Sequence, residues 1–198
     1  ESLASLMVGR EVIFNLHKCE QTAGPEVLRL EDVSALNNKN LPALRNVDLA
    51  LHESEILGIA GVAGNGQSEL VEVITGLRPC SGRIWLEGKD IANKPPSFSI
   101  SQGLAHIPED RIGVGSAPNL SLTSNIIMKR YDQQPVSQKW QLNYVAADKL
   151  AGGLKTEYDI QAPDVHTQAR KLSGGNLQKL ILARELSSTP RLVVAMQP

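Results

Sequence analysis

Residues Leu172-Ser173-Gly174-Gly175-Asn176-Leu177-Gln178 lead into the amphipathic run KLILARELS. A hydroxyl and two glycines at a helix start suit an anion. Ser173 donates a hydroxyl, Gly174 and Gly175 admit close backbone approach, and the helix behind them aims its positive end outward. The competing account is a capped helix after an ordinary Ser-Gly-Gly loop, which needs no ligand. About a hundred residues upstream, EILGIA runs into Gly61, Val62, Ala63, Gly64, Asn65, Gly66, Gln67 and Ser68, and then into the helical ELVEVITG. This follows the outline of G-x-x-x-x-G-K-[ST]. In that pattern glycines wrap backbone amides around phosphates, a lysine reaches the outer phosphates and a hydroxyl holds magnesium. Gln67 stands where the lysine belongs, Ser68 keeps the hydroxyl, and Glu69 follows.

The exchange has a definite cost. A hydrogen bond from a charged donor contributes about 1.5–3 kcal/mol and a neutral one about 0.5–1.5, so the expected loss is a kcal/mol or two. The amide nest and Ser68 still allow weak binding of phosphates, while stabilisation of transition-state charge is impaired. The last apolar run, Leu192-Val193-Val194-Ala195-Met196-Gln197-Pro198, has a matching defect. A nucleotide hydrolase ends such a strand with an aspartate for magnesium and often a glutamate to polarise water, and neither Met196 nor Gln197 supplies a carboxylate. The half-site formed by these two segments reads as non-catalytic.

Taken together, the phosphate-loop segment, the LSGGN-x-Q segment and the final apolar strand resemble the nucleotide-binding domain of an ATP-binding cassette (ABC) transporter. GVAGNGQSEL, AHIPEDR, LSGGNLQKLILAREL and AMQP are more narrowly similar to the second, degenerate cassette of double-cassette subunits that energise bacterial importers for simple sugars and nucleosides. The likeness runs from about Val27 to Pro198. SLASLMVGREV resembles the connector from a first cassette, so the expectation is a connector over 1–24 and a cassette over 25–198 that lacks its C-terminal part. A helical subdomain is expected at about 116–170.

The resemblance implies ATP and Mg2+ as ligands. Nucleotide contacts are expected from Gly61, Gly64, Asn65, Gly66, Gln67, Ser68, Glu69, Ser173, Gly174, Gly175, Asn176 and Gln178, with Ser68 toward the metal. It also implies partners: a first cassette of the same subunit or a second copy, transmembrane permease subunits, and indirectly a substrate-binding protein. The location implied is peripheral, on the cytoplasmic face of the cell membrane. In the family each nucleotide lies between the phosphate loop of one cassette and the LSGGN segment of the other. A chain with a damaged loop and an intact Ser173 segment is therefore expected to serve the neighbour's site. Glu109 stands where most cassettes carry a γ-phosphate-sensing glutamine. An acid there repels phosphate unless metal or Arg111 intervenes. Asp110 and Arg111 are candidates for a permease contact, and the other reading of Glu109, Asp110 and Arg111 is a solvated turn after Pro108. Val33 to Leu41 lacks an aromatic residue on which adenine could stack. Two rival functions stay open: a competent ABC ATPase compensated by its partner, and an ABC protein outside transport.

Positioning these groups takes a domain, and 198 residues suffice to bury a core. Twenty basic against twenty-one acidic residues leave a net charge of -1, which argues against nucleic acid as the main partner. Cys19 and Cys80 have no metal or redox spacing and read as small packing residues in a reducing compartment. No apolar run approaches the ~20 residues needed to span a bilayer. VLRLEDVS, LRNVDLAL and RIWLEG alternate as half-buried strands, whereas EILGIA and RLVVAM read as parallel strands covered on both faces. SLTSNIIMKRY and NYVAADKLAGGL read as helices. The fold class expected is α/β: a P-loop NTPase core of the ABC-cassette type with an N-terminal antiparallel β layer and an inserted helical subdomain.

Overall fold

The computed structural model describes residues 22–62, 64–138 and 141–197. The expected connector lies almost wholly outside them. The alternating segments form the antiparallel layer: β1 (Glu26–Leu36), β2 (Pro42–His52), β3 (Ser81–Leu86) and the short β4 (Lys89–Asp90), in the order β2-β1-β3-β4. Period-two patterning decides which side faces in. Leu28, Leu30, Val33, Ile84 and Leu86 are buried, while Arg29, between Leu28 and Leu30, and Arg83, before Ile84, are exposed. Against the inner face packs α1 (Gln67–Thr75) through Leu70, Val73 and Ile74. Its ends are set by Gly66 and Gly76, both left-handed, a conformation glycine adopts without a Cβ penalty.

Beyond α2 (Pro96–Ser101), β5 (Leu104–Ile107) pairs in parallel with β8 (Leu192–Ala195), Leu104 opposite Leu192 and Ile107 opposite Ala195. The intervening chain carries α3 (Leu122–Ile127), a short hairpin β6 (Ser137–Gln138) and β7 (Gln141–Leu142), α4 (Tyr144–Glu157) and α5 (Gly174–Leu186). Side-chain caps start three of these helices: Ser121 for α3, Asn143 for α4 and Ser173 for α5, each accepting from an N–H three residues on. Leu122, Ile126, Ala147, Ala151, Leu177 and Ile181 make a second apolar core where α3, α4 and α5 meet.

One expected strand is absent. RLVVAM becomes β8, but residues 55–60, EILGIA, are irregular and exposed, with Ile56 97% exposed. A run apolar on both faces is a stable strand only when neighbours supply its ladder. Among the described residues β8 is laddered to β5 alone, and no strand pairs with 55–60. Leu57 and Ile59 instead line a cleft beside β8.

Candidate functional site

The phosphate-loop segment is built at the start of α1. Gly64 (φ 86°) and Gly66 (φ 97°) take the left-handed conformation, the kind of backbone that turns successive N–H groups into an anion-binding concavity. Gln67 does not extend from it. Its Nε2 donates to the Val62 carbonyl at 3.2 Å, and a Cβ added to Gly61 would clash with that nitrogen. The side chain that replaces the lysine is thus folded onto its own loop. Ser68 is exposed and Glu69 half-buried in the first turn of α1.

Gly61, Gly64, Gln67 and Ser68 line a cleft of about 520 Å3 shared with β8, Glu109 and Gln197. Across it the Gln197 Nε2 donates to Glu109 Oε1 at 2.7 Å. The partner that meets Glu109 is this amide rather than Arg111, which makes no ion pair with it among the described residues. For magnesium the donor set is thin. Ser68 offers one hydroxyl and Glu109 the one carboxylate lining the cleft, and the described residues contain no group of three or more metal-ligating side chains. The glycine nest fits phosphate; what the cleft lacks among the described residues is a cationic side chain.

After Pro108 the chain turns. Asp110 Oδ1 accepts the N–H groups of Ile112 (3.0 Å) and Gly113 (2.8 Å), so its carboxylate is occupied in shaping that turn. Arg111 is half-buried. Apolar side chains are exposed here beside Glu109 and Asp110: Ile112 is 63% and Val114 60% exposed.

At the other site Ser173 caps α5. Its Oγ accepts from the Asn176 backbone N–H at 3.4 Å and from Asn176 Nδ2 at 3.0 Å, and Asn176 Oδ1 accepts the Gln161 N–H at 2.8 Å. Asn176 is thus a brace behind the serine. The hydroxyl hydrogen of Ser173 and the N–H groups of Gly174 and Gly175 have no acceptor among the described residues. A Cβ built on Gly174 or Gly175 meets nothing within 4 Å, and neither has a positive φ. The fold of this chain therefore gives no reason for glycine here. Gln178 is half-buried on the next turn.

The two sites are joined by a buried carboxylate on α5. Glu185, its side chain 1% exposed near the end of α5, accepts Lys129 Nζ at 2.7 Å, Arg184 Nε at 2.8 Å and the backbone N–H of His106 in β5 at 3.1 Å. Burial pushes its carboxyl up, but Lys129 and Arg184 outweigh that and hold it below the ordinary value of 4.5. Burial, aided by Lys129, keeps the His106 imidazole below 6.5, and its Nε2 is buried without a partner among the described residues. The signal was legible: Glu185 falls on the same face of KLILAREL as Leu177 and Ile181, and a charge on a buried stripe needs partners.

A family model described as "ABC transporter" matches residues 44–195. The chain is 43% identical over 199 residues to the guanosine import ATP-binding protein NupO of Bacillus subtilis (strain 168), covering 100% of this chain and 39% of that protein. It is 44% identical to the glucose import ATP-binding protein TsgD13 of Haloferax volcanii, covering 99% of this chain and 36% of that protein. It thus spans well under half the length of these relatives. Among solved structures, a nucleotide-free ATP-binding cassette from an ABC transporter superposes with a TM-score of 0.68 at 23% identity, covering 86% of this chain and 68% of that one. The dimeric bacterial cassette MJ0796 gives 0.69 at 18% identity, covering 85% of this chain and 72% of that one. These likenesses establish the α/β cassette fold.

Proposed function

Because the chain belongs to the ABC transporter family, matched over residues 44–195, we propose that it is an ATP-binding domain of an importer for nucleosides or simple sugars, acting chiefly in trans. It stands as the second cassette of a two-cassette subunit, on the cytoplasmic face of the membrane beneath permease subunits. In it the Ser173 end of α5 completes the ATP site of the partner cassette. The relatives named for guanosine and for glucose import support the cargo class. No helix among the described residues is long and apolar enough to cross a membrane, and exposed Ile112 and Val114 offer the permease an apolar contact.

The observation that carries this reading is the contrast between the two sites. The phosphate loop has its own side chain folded into it and one carboxylate in its cleft. The α5 terminus is braced from behind and open in front. When ATP is held by the partner, the Ser173 hydroxyl and the free N–H groups of Gly174 and Gly175 are donors placed for γ-phosphate oxygens, aided by the helix dipole. The half-site of this chain contributes weak phosphate binding through Gly64, Gly66 and Ser68. Magnesium bound there would supply Lewis-acid charge, with Ser68 and Glu109 as the residues to hold it.

Calorimetric titration tests this. ATP added to the purified chain binds weakly, and Mg2+ tightens it by less than about tenfold, because only one carboxylate is available. ATP added to the two-cassette protein binds tightly with Mg2+. Tight, strongly magnesium-dependent binding by the chain alone overturns the assignment in favour of a competent ATPase.

A further inference from the structure

Ser173 has one hydroxyl hydrogen and two oxygen lone pairs to place. Both lone pairs face donors. The Asn176 backbone N–H lies 3.4 Å from Oγ and Asn176 Nδ2 lies 3.0 Å from it, so what the hydroxyl has left to offer is its hydrogen. The Asn176 amide is not free to reverse this. A backbone N–H only donates, so the Gln161 N–H, 2.8 Å away, fixes Oδ1 as its acceptor and turns Nδ2 toward the serine.

Gln161 is itself held in place. Asp159, two residues past the end of α4, takes a positive φ of 52°, and the buried Ile160 after it donates its N–H to Lys155 O at 2.8 Å. Lys179, almost a turn beyond Asn176 on α5, donates from Nζ to Asp159 O at 2.8 Å and to Asp159 Oδ2 at 2.7 Å. The end of α4 is thus pinned to the start of α5. Helix stability alone favours a different residue at 176. It is the third position of α5, where an acid completes a capping box and meets the positive end of the helix. An acid has no hydrogen for Oγ, however, and the serine would turn its own hydrogen inward to reach it.

We propose that Asn176, oriented by the Gln161 N–H, is a positioning residue that keeps the Ser173 hydroxyl hydrogen directed outward, suiting this end of α5 to an acceptor with no hydrogen of its own, the fully ionised terminal phosphoryl group of a nucleotide. Asn176 acts through the serine, not on the nucleotide. The proposal rests on the reading that Ser173 serves the partner's ATP.

The test is steady-state ATP hydrolysis by the two-cassette importer carrying Asn176→Asp or Asn176→Ala, each with Ser173 intact and with Ser173→Ala. Asn176→Asp keeps the size and still accepts from Gln161, but its second oxygen takes the serine hydrogen. Its kcat is expected to fall about 10²-fold, the loss typical of one removed donor, with KM for ATP within about threefold because the partner's loop holds the nucleotide. Asn176→Ala leaves the hydroxyl free to turn outward and is expected to lose less than about tenfold. With Ser173→Ala already present, Asn176→Asp is expected to cost less than about threefold more, since no hydroxyl remains to turn. Equal losses in the two backgrounds mean that the new charge or a disturbed fold acts by itself, and they overturn the proposal. Asn176→Ala as the more damaging change also overturns it, because a merely structural brace loses both bonds with Ala and keeps them with Asp. If Asn176→Asp does not fold, Asn176→Ala decides through the same cycle: its loss must shrink to within about twofold in the Ser173→Ala background. Ser173→Glu, assayed alongside, separates the two levels. Unimpaired hydrolysis in it refutes the trans reading itself, whereas impaired hydrolysis with additive losses in the cycle refutes the role of Asn176 alone.

Discussion

Two adjacent glycines carry the sharpest argument at the scale of single residues. Gly174 and Gly175 sit in the first turn of a helix with open space where a Cβ would go, so the fold would accept alanine. Gly→Ala at a compatible backbone stabilises by about 0.4–1 kcal/mol through the unfolded chain. Gly175→Ala should therefore raise the unfolding free energy of the purified chain by about that amount, read by urea denaturation. On the proposed trans role, the added methyl would obstruct a partner-held phosphate, and hydrolysis by the two-cassette importer should fall by about 10²-fold. A stability gain with no loss of turnover would place the phosphate elsewhere. Gln67 shows the opposite case, a residue whose replacement of lysine was legible but whose fold-back onto the Val62 carbonyl was not. Glu109 was legible as an acid in an unusual place. Its hydrogen bond to Gln197, 88 residues away in the chain, is set by the parallel pairing of β5 with β8 and has no local signature.

Among the elements, the junction of α5 with β5 is the part most sensitive to conditions. Both Glu185 and His106 bind protons less readily in the fold than in the unfolded chain. Folding stability therefore falls as pH drops, beginning below about 6.5 through His106 and continuing below about 4.5 through Glu185. His106→Gln should remove the upper part of that decline in denaturation measured between pH 7 and 5. Glu185→Gln should flatten the lower part while costing about 2–3 kcal/mol at pH 7, since Lys129 and Arg184 lose the charge they surround. Unchanged pH profiles in both variants would contradict the buried network. The strands show why some elements read from sequence and one did not. β1, β2 and β3 alternate because one face meets α1 and the other water, so a period of two is written in their residues. EILGIA carries only a continuous apolar run. Whether such a run becomes a strand depends on neighbours, and beside residues 55–60 none is laddered.

For the molecule as a whole, the two sites lie at opposite ends of a connected path. The cleft at β8 and Glu109 joins β5, β5 joins α5 near its C-terminus at Glu185, and α5 begins at Ser173. The fold class was legible because the antiparallel segments, the glycine loop before a helix and the capped α5 each carry local chemistry. The brace from Gln161 to Asn176 was not, since it depends on which loops the helices bring together. The central claim is that this chain gives more to a neighbour's ATP than to its own. Steady-state ATP hydrolysis by the two-cassette importer, compared between Ser173→Glu and Gln67→Ala, tests it most directly. The expected result is a fall of about 10²–10³-fold for Ser173→Glu and less than about threefold for Gln67→Ala. The reverse order, with Gln67→Ala the more damaging, would contradict the account.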